Sequence, residues 1–217
     1  MRIFSIIAHP RANSFCHAIS ARVRNALVGD GHIIEHHDLY VEGFDPCLTA
    51  EEAYTVGDTL EKALSRAEDR VLLQHRTQVA NADGLLVVHP NWWGKPPAIL
   101  AGWLDRVLVP GVTYRLKTAD GLPEGLLSIK KAIVFNTSDT DAARELNDLG
   151  DPLGLIWGRC VLPYCGVLEH ERHVFRPVVG SSEARRENWL EEATAKCRTM
   201  FGAKLNANTS APSAILS

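Results

Sequence analysis

The sequence predicts an α/β domain, a doubly wound five-stranded parallel sheet in the order 2-1-3-4-5 with helices on both faces. Three observations carry that expectation. Five short apolar runs alternate with stretches of helical periodicity. The third run, residues 85–89, is apolar throughout up to its histidine, as suits a central strand covered on both sides. Two runs halt at His-Pro, His9-Pro10 and His89-Pro90. In this strand order the first and third strands are neighbours, and their carboxyl ends open the crevice where ligands bind.

The elements follow in order. Residues 3–8 read as a buried strand. Ser14 caps a helix running to about residue 28, with Phe15, Ile19, Val23 and Leu27 on one face. "HIIEHHDLY" reads as a second strand. Residues 44–58 are irregular and long, which suggests an excursion over the surface. Residues 60–82 look like one helix, and residues 85–89 form the third strand. Pro96-Pro97 occupies the first turn of the next helix, whose wide apolar face carries Ile99, Leu100, Trp103, Leu104, Val107 and Leu108. Residues 110–131 read as a long loop, since glycine and proline recur through them. Residues 132–135 form the fourth strand, and "NTSDTD" supplies a turn and a new cap. A helical patch over 152–160, a fifth strand within 166–175 and a last helix from Ser181 or Ser182 to about residue 201 complete the pattern. The domain is expected to span 1–203, with 204–217 a disordered tail.

Composition narrows the function. Net charge is −3, with basic residues scattered, so nothing calls for nucleic acid. Five cysteines with no CxxC pair point to reduced thiols in a cytoplasmic protein. No apolar stretch reaches the roughly 18 residues of a membrane span, and the first is too short for a signal peptide.

The loops at the predicted crevice carry the chemistry. In "HPRANSF" the backbone N–H groups, helix dipole, Ser14 hydroxyl and Arg11 together suit a phosphate, against the plainer reading of a cap and a solvated arginine. Neither GxGxxG nor GxxxxGK(S/T) is present. Adjacent Trp92 and Trp93 cannot both enter a core, so at least one meets a flat ligand, a dimer partner or loop packing. "NTSDT" adds hydroxyl and amide donors. Phosphate, flat ring and hydrogen-bonding loop, in that order along the sheet, spell a flavin nucleotide. Two other leads are set aside. "CHAISAR" fits the C-x5-R pattern of phosphatases, but Cys16 falls inside a helix, where inert packing is expected. "HIIEHH" invites a metal, but strand alternation separates His36 from His37, so a solvated edge is expected.

Three segments resemble the flavodoxin-like NAD(P)H:quinone oxidoreductases, over about residues 2–201. "AHPRANSF" is similar to the family's AH-x4-SF loop, "HPNWWGKPPAILAGWLDRVL" to its P-x2-W-x3-PA-x-LKGW-x-D/E-RV signature, and "KKAIVFNTSDT" to its KKA-x4-TTGG. The resemblance implies that His9, Asn13, Ser14 and Phe15 hold the phosphate and ribityl end of FMN or FAD, one per subunit. It places Pro90, Asn91, Trp92 and Trp93 along the isoalloxazine edge, and Thr137 and Ser138 near the pyrimidine side. It implies ping-pong hydride transfer from NAD(P)H through the flavin to a quinone, in a homodimer, with Trp93 and Tyr114 as candidates at the reacting face. Some relatives instead serve as accessory regulators of glutathione-gated potassium-efflux antiporters, which is the alternative role. The chain departs from the pattern in three places. Asp139 and Thr140 replace the two glycines; "DAARELNDLGDP" lacks the tyrosine and histidine of the mammalian proton relay; Leu116 replaces the second of two tyrosines, leaving Tyr114.

Overall fold

The computed structural model describes residues 1–54, 57–67, 69–116 and 123–202. Its core is a five-stranded sheet in the order β2 (Ile33–Asp38), β1 (Arg2–Ile7), β3 (Gly84–Pro90), β6 (Lys131–Thr137), β7 (Glu169–Phe175). All four pairings are parallel. A short antiparallel hairpin, β4 (Tyr114–Leu116) with β5 (Pro123–Gly125), stands outside the sheet, so the main strands keep the expected 2-1-3-4-5 order.

Strand alternation divides the core into two layers. Phe4, Ile6, Leu85, Val87 and Val134 face one side, under α3 (Arg70–Ala80) and α4 (Ala98–Val107). Ile3, Ile7, Leu86, Val88, Ile133 and Phe135 face the other, under α1 (Phe15–Gly29) and α7 (Glu183–Phe201). Every residue of β3 is buried, as a strand covered on both faces must be.

Several boundaries differ from expectation, each for a local reason. The helix expected over 60–82 is two, α2 (Leu60–Ser65) and α3, because Asp69 accepts from the Val71 N–H and starts a second helix. Pro96-Pro97 stands before α4, not inside its first turn: Pro97 is the N-cap at φ −50°, ψ 149°, and its ring bars Pro96, the residue before it, from helical geometry. The loop over 110–131 contains the β4–β5 hairpin. Asp141 caps a further helix, α5 (Ala142–Asn147). The patch over 152–160 begins as α6 (Pro152–Leu155) and widens into a π-helix, Ile156–Val161. The tail expected over 204–217 lies outside the described residues. Among the described residues no helix is long and apolar enough to cross a membrane.

The expected excursion after β2 is real and is pinned from beneath. Arg106 of α4 pairs with Glu52, its Nε 2.7 Å from Oε2, and both side chains are buried. Arg106 also donates to the Asp45 carbonyl at 2.5 Å. Gly102 is required where α4 meets this segment, since a Cβ there would lie 2.1 Å from the Pro46 carbonyl oxygen.

The solvated edge expected for His36 and His37 is not found. His37 is only 3% exposed, because α3 covers it. Its Nδ1 is 2.8 Å from Glu42 Oε1, and the other Glu42 oxygen is 2.9 Å from His75 Nε2. Burial would raise the Glu42 carboxyl, yet hydrogen bonds from the two histidines hold it down at about 2. His37, Glu42 and His75 are close enough to ligate a metal, but the Trp103 indole N–H donates to His75 Nδ1 at 2.8 Å. An indole nitrogen can only donate, so His75 keeps its proton on Nε2, the atom a metal would need. The cluster is a hydrogen-bond network, its two histidines buried, that joins β2, α3 and α4.

Candidate active site

The carboxyl ends of β1, β3 and β6 open a cavity of about 400 Å³. Its first wall is the loop after β1. Ser14 is the N-cap of α1, at φ −72°, ψ 158°, and its hydroxyl accepts from the His17 N–H at 3.3 Å. His9, 7% exposed, accepts the Arg11 N–H at Nδ1, 3.1 Å away, so its proton resides on Nε2 as a donor. Burial, then the Arg11 charge, pushes the His9 pKa down and favours the neutral ring. Asn13 and Phe15 line the same wall. Cys16 lies at the floor, its Sγ 3.2 Å from Thr137 Oγ1. Burial pushes that thiol up to about 12, which removes it as a phosphatase-type nucleophile.

The second wall is the loop after β3. The Asn91 N–H donates to the Thr137 carbonyl at 2.7 Å, its amide donates to Glu145 at 3.1 Å, and its Oδ1 accepts from the Gly94 N–H at 3.0 Å. Asn91 therefore lines the cavity with its side chain already committed. Trp92 and Lys95 exchange two backbone bonds, 3.3 and 3.2 Å, across a two-residue turn with Trp93 at φ 60° and Gly94 at φ 70°. Two positive φ values are those of a type I′ hairpin turn. Trp92 lines the cavity, its ring 5.7 Å from that of His9. Trp93 points away and is 96% exposed. Of the adjacent tryptophans, then, one faces the cavity and one faces solvent.

Thr137 and Ser138 form the third wall. At the position that departs from the glycine pair, Asp139 Oδ1 accepts from the Val178 and Val179 N–H groups, at 2.9 and 2.7 Å. That holds the segment after β7 against the cavity, where Val178, Val179 and Arg186 complete the lining. Arg186 is fixed by Ser181 Oγ at 2.8 Å and the Val178 carbonyl at 3.1 Å, and sits 6.0 Å over the Phe15 ring. Arg186 and the two valines are absent from the residues that the sequence pattern singles out. The cap at Ser182 marks the helix start, but nothing local marks which side of its first turns meets the crevice.

Not every expected residue is brought together. Within one chain Tyr114 lies outside the cavity, 8% exposed, edge-on to Tyr164 at 4.8 Å beside Leu104 and Leu108. Burial raises its phenol well above the usual range. His89 is fully buried behind the site. Trp157 Nε1 and Asn136 Nδ2 donate to its Nε2, each at 2.9 Å, and its Nδ1 donates to the Pro90 carbonyl at 2.8 Å. Arg172 extends the network from Asn136 to Asp151.

The donor set fits a phosphorylated flat ring. The His9 Nε2–H, the Ser14 hydroxyl, the first-turn amides of α1 and the Arg11 charge suit a phosphate. Trp92 and the loop after β6 suit a ring with polar edges.

Residues 1–199 match the family model described as the flavodoxin-like fold. The chain belongs to that family. A relative from Haemophilus influenzae, named an uncharacterized NAD(P)H oxidoreductase, is 32% identical, with 92% of this chain and 96% of that protein covered. NAD(P)H dehydrogenase [quinone] 1 of Rattus norvegicus is 26% identical over 76% of this chain and 65% of its own length. Among solved structures, an FMN-dependent NADH-azoreductase from Bacillus anthracis, in complex with FMN, superposes with a TM-score of 0.67 at 13% identity. It covers 92% of this chain and 99% of that one. Homologues of this flavodoxin-like chain are thus named NAD(P)H oxidoreductases and NAD(P)H dehydrogenases [quinone].

Proposed function

We propose that the chain is a flavin-dependent NAD(P)H oxidoreductase with a quinone-type acceptor, holding one FMN or FAD per subunit. The observation that carries this reading is that three loops line one cavity: His9 and Ser14 after β1, Trp92 after β3, and Thr137 and Ser138 at the end of β6. Relatives named for NAD(P)H and quinone, and a fold neighbour solved with FMN, support it.

Bound there, a flavin supplies hydride transfer between the nicotinamide and the acceptor. The residues supply position and charge. His9 presents a neutral N–H and Ser14 a hydroxyl to the phosphate. Asn91, tied to Thr137 and Glu145, fixes the turn that sets Trp92 against the ring. The family resemblance supports ping-pong order, in which the nicotinamide and the quinone use one face of the flavin in turn.

Trp93 supports a homodimer. A bulky residue in the left-handed region costs about 1–2 kcal/mol, and this one exposes its whole indole within its own chain. A second copy meeting that indole would bury it and offset the strain. All five cysteines are free thiols, which suits a cytoplasmic enzyme.

The absorption spectrum of the purified protein tests the reading, with the released flavin identified by mass and NAD(P)H oxidation followed with a quinone. A folded protein that is colourless and takes up no flavin overturns it.

A further inference from the structure

Ser14 sits in a chain of hydrogen bonds that reaches outside the cavity. Its Oγ lies 3.0 Å from His17 Nδ1, and His17 Nε2 lies 2.9 Å from Asp38 Oδ2. The other Asp38 oxygen accepts from the Tyr40 and Val41 N–H groups at 3.1 and 3.2 Å, which fixes the carboxylate. A carboxylate only accepts, so His17 Nε2 carries a proton. With the ring neutral, Nδ1 is then an acceptor, and the Ser14 hydroxyl gives its hydrogen to it. Ser14 also accepts the cap bond from the His17 N–H. In this state the oxygen of Ser14 offers a phosphate a lone pair and no hydrogen.

One added proton reverses the arrangement. With a hydrogen on both ring nitrogens, His17 donates to Asp38 and to Ser14 Oγ, and the Ser14 O–H is free to turn into the cavity. We propose that His17 and Asp38 are positioning residues for the flavin phosphate, which binds with uptake of one solvent proton at His17 Nδ1. The inference rests on the flavin reading above.

The neighbouring groups leave His17 as the site of that proton. His9, from the loop before α1, has its ring 6.3 Å from that of His17, but its Nδ1 already accepts the Arg11 N–H. Protonating His9 would set two donors against each other. His36, on β2, has its Nδ1 3.2 Å from Ser5 Oγ; burial, then the charge of Arg24, pushes it down to about 4, so it stays neutral. Arg11 and Arg24 hold constant charge, and Asp38 balances the imidazolium.

The test is flavin fluorescence quenching in protein stripped of cofactor, with FMN and with riboflavin as probes. It is run above about pH 7, where a phosphate monoester is close to a dianion. The wild type is expected to lose FMN affinity with rising pH, by up to about tenfold per pH unit, while riboflavin binding stays level. His17→Gln and Asp38→Asn are expected to flatten the FMN profile and to keep riboflavin affinity, which also reports that the site is folded. Parallel FMN profiles in wild type and H17Q overturn the proposal. So does a loss of riboflavin affinity in H17Q equal to that for FMN, since His17 would then support the whole site and not the phosphate. Failure of both flavins to bind the wild type overturns the flavin reading itself, and this inference with it.

Discussion

The same dipeptide ends two adjacent strands, and the two histidines do opposite work. His9 lines the cavity, neutral, with one N–H free for a ligand. His89, one strand over, is sealed beneath the site with every polar atom used: two donors converge on Nε2, and Nδ1–H returns to the Pro90 carbonyl. The difference lies in the segment that succeeds each strand. After β1 the chain turns directly into α1, so the loop stays at the crevice. After β3 the chain makes the Trp92–Lys95 turn, and the π-helix sets Trp157 over His89. Position at the end of a central strand thus does not decide between function and support; the roof over the residue does.

Removing each histidine should separate these roles, and the largest effect belongs to the buried one. His89→Ala leaves a cavity and strands the Trp157 and Asn136 donors, for a cost of about 4 kcal/mol. His9→Ala should cost about 1 kcal/mol. Urea unfolding measures both, and equal losses would erase the contrast.

Acid sharpens the comparison further. Burial pushes His89 down to about 4, against an ordinary 6.5, so the unfolded chain binds a proton that the folded chain refuses. The folded pKa is the lower one. The contribution is therefore complete above about pH 6.5, declines as pH falls, and is exhausted near pH 4. The difference amounts to about 3 kcal/mol. His89→Gln removes the titration, so its stability curve should lack that slope. A wild-type curve level between those pH values would break the assignment.

Much of this was legible in the sequence and some was not. Strand order, the Ser14 cap and the crevice loops followed from patterns confined to one element. The His37–Glu42–His75 network did not, because alternation within β2 tells which face His37 takes but not that α3 covers it. Arg186 escaped for a similar reason. Its place at the cavity depends on Asp139, far off in sequence, drawing the chain after β7 inward. Tyr114 matched a motif, and within one chain it packs on Tyr164, away from the cavity. A motif fixes a place on the backbone; which neighbour covers it is a tertiary fact.

For His9 the expected effect is on the ligand. A hydrogen bond to a charged group contributes about 1.5–3 kcal/mol, so His9→Ala should weaken FMN binding by roughly ten- to a hundredfold. Riboflavin, lacking the phosphate, should bind H9A and wild type alike. A matched loss for both ligands would mean that His9 shapes the cavity and does not hold the phosphate.

The smallest expected change has the opposite sign. Trp93 holds φ 60° in a turn whose other central residue, Gly94, adopts φ 70° freely. A side chain at Gly94 would press on the Pro152 ring, its Cβ 3.0 Å from Cγ. Glycine at position 93 relieves the strain of the left-handed conformation, and the indole, 96% exposed, gives up almost no burial within its own chain. Part of the gain is returned as backbone entropy, because glycine loses more freedom on folding. Trp93→Gly should therefore stabilise the isolated chain by about 1 kcal/mol, read as a rise in Tm at a protein concentration low enough to keep it monomeric. If the indole serves the cavity mouth or a second copy, the same variant loses turnover or self-association while gaining stability. A variant that gains stability and loses neither would show Trp93 to be strained for no purpose that this site uses.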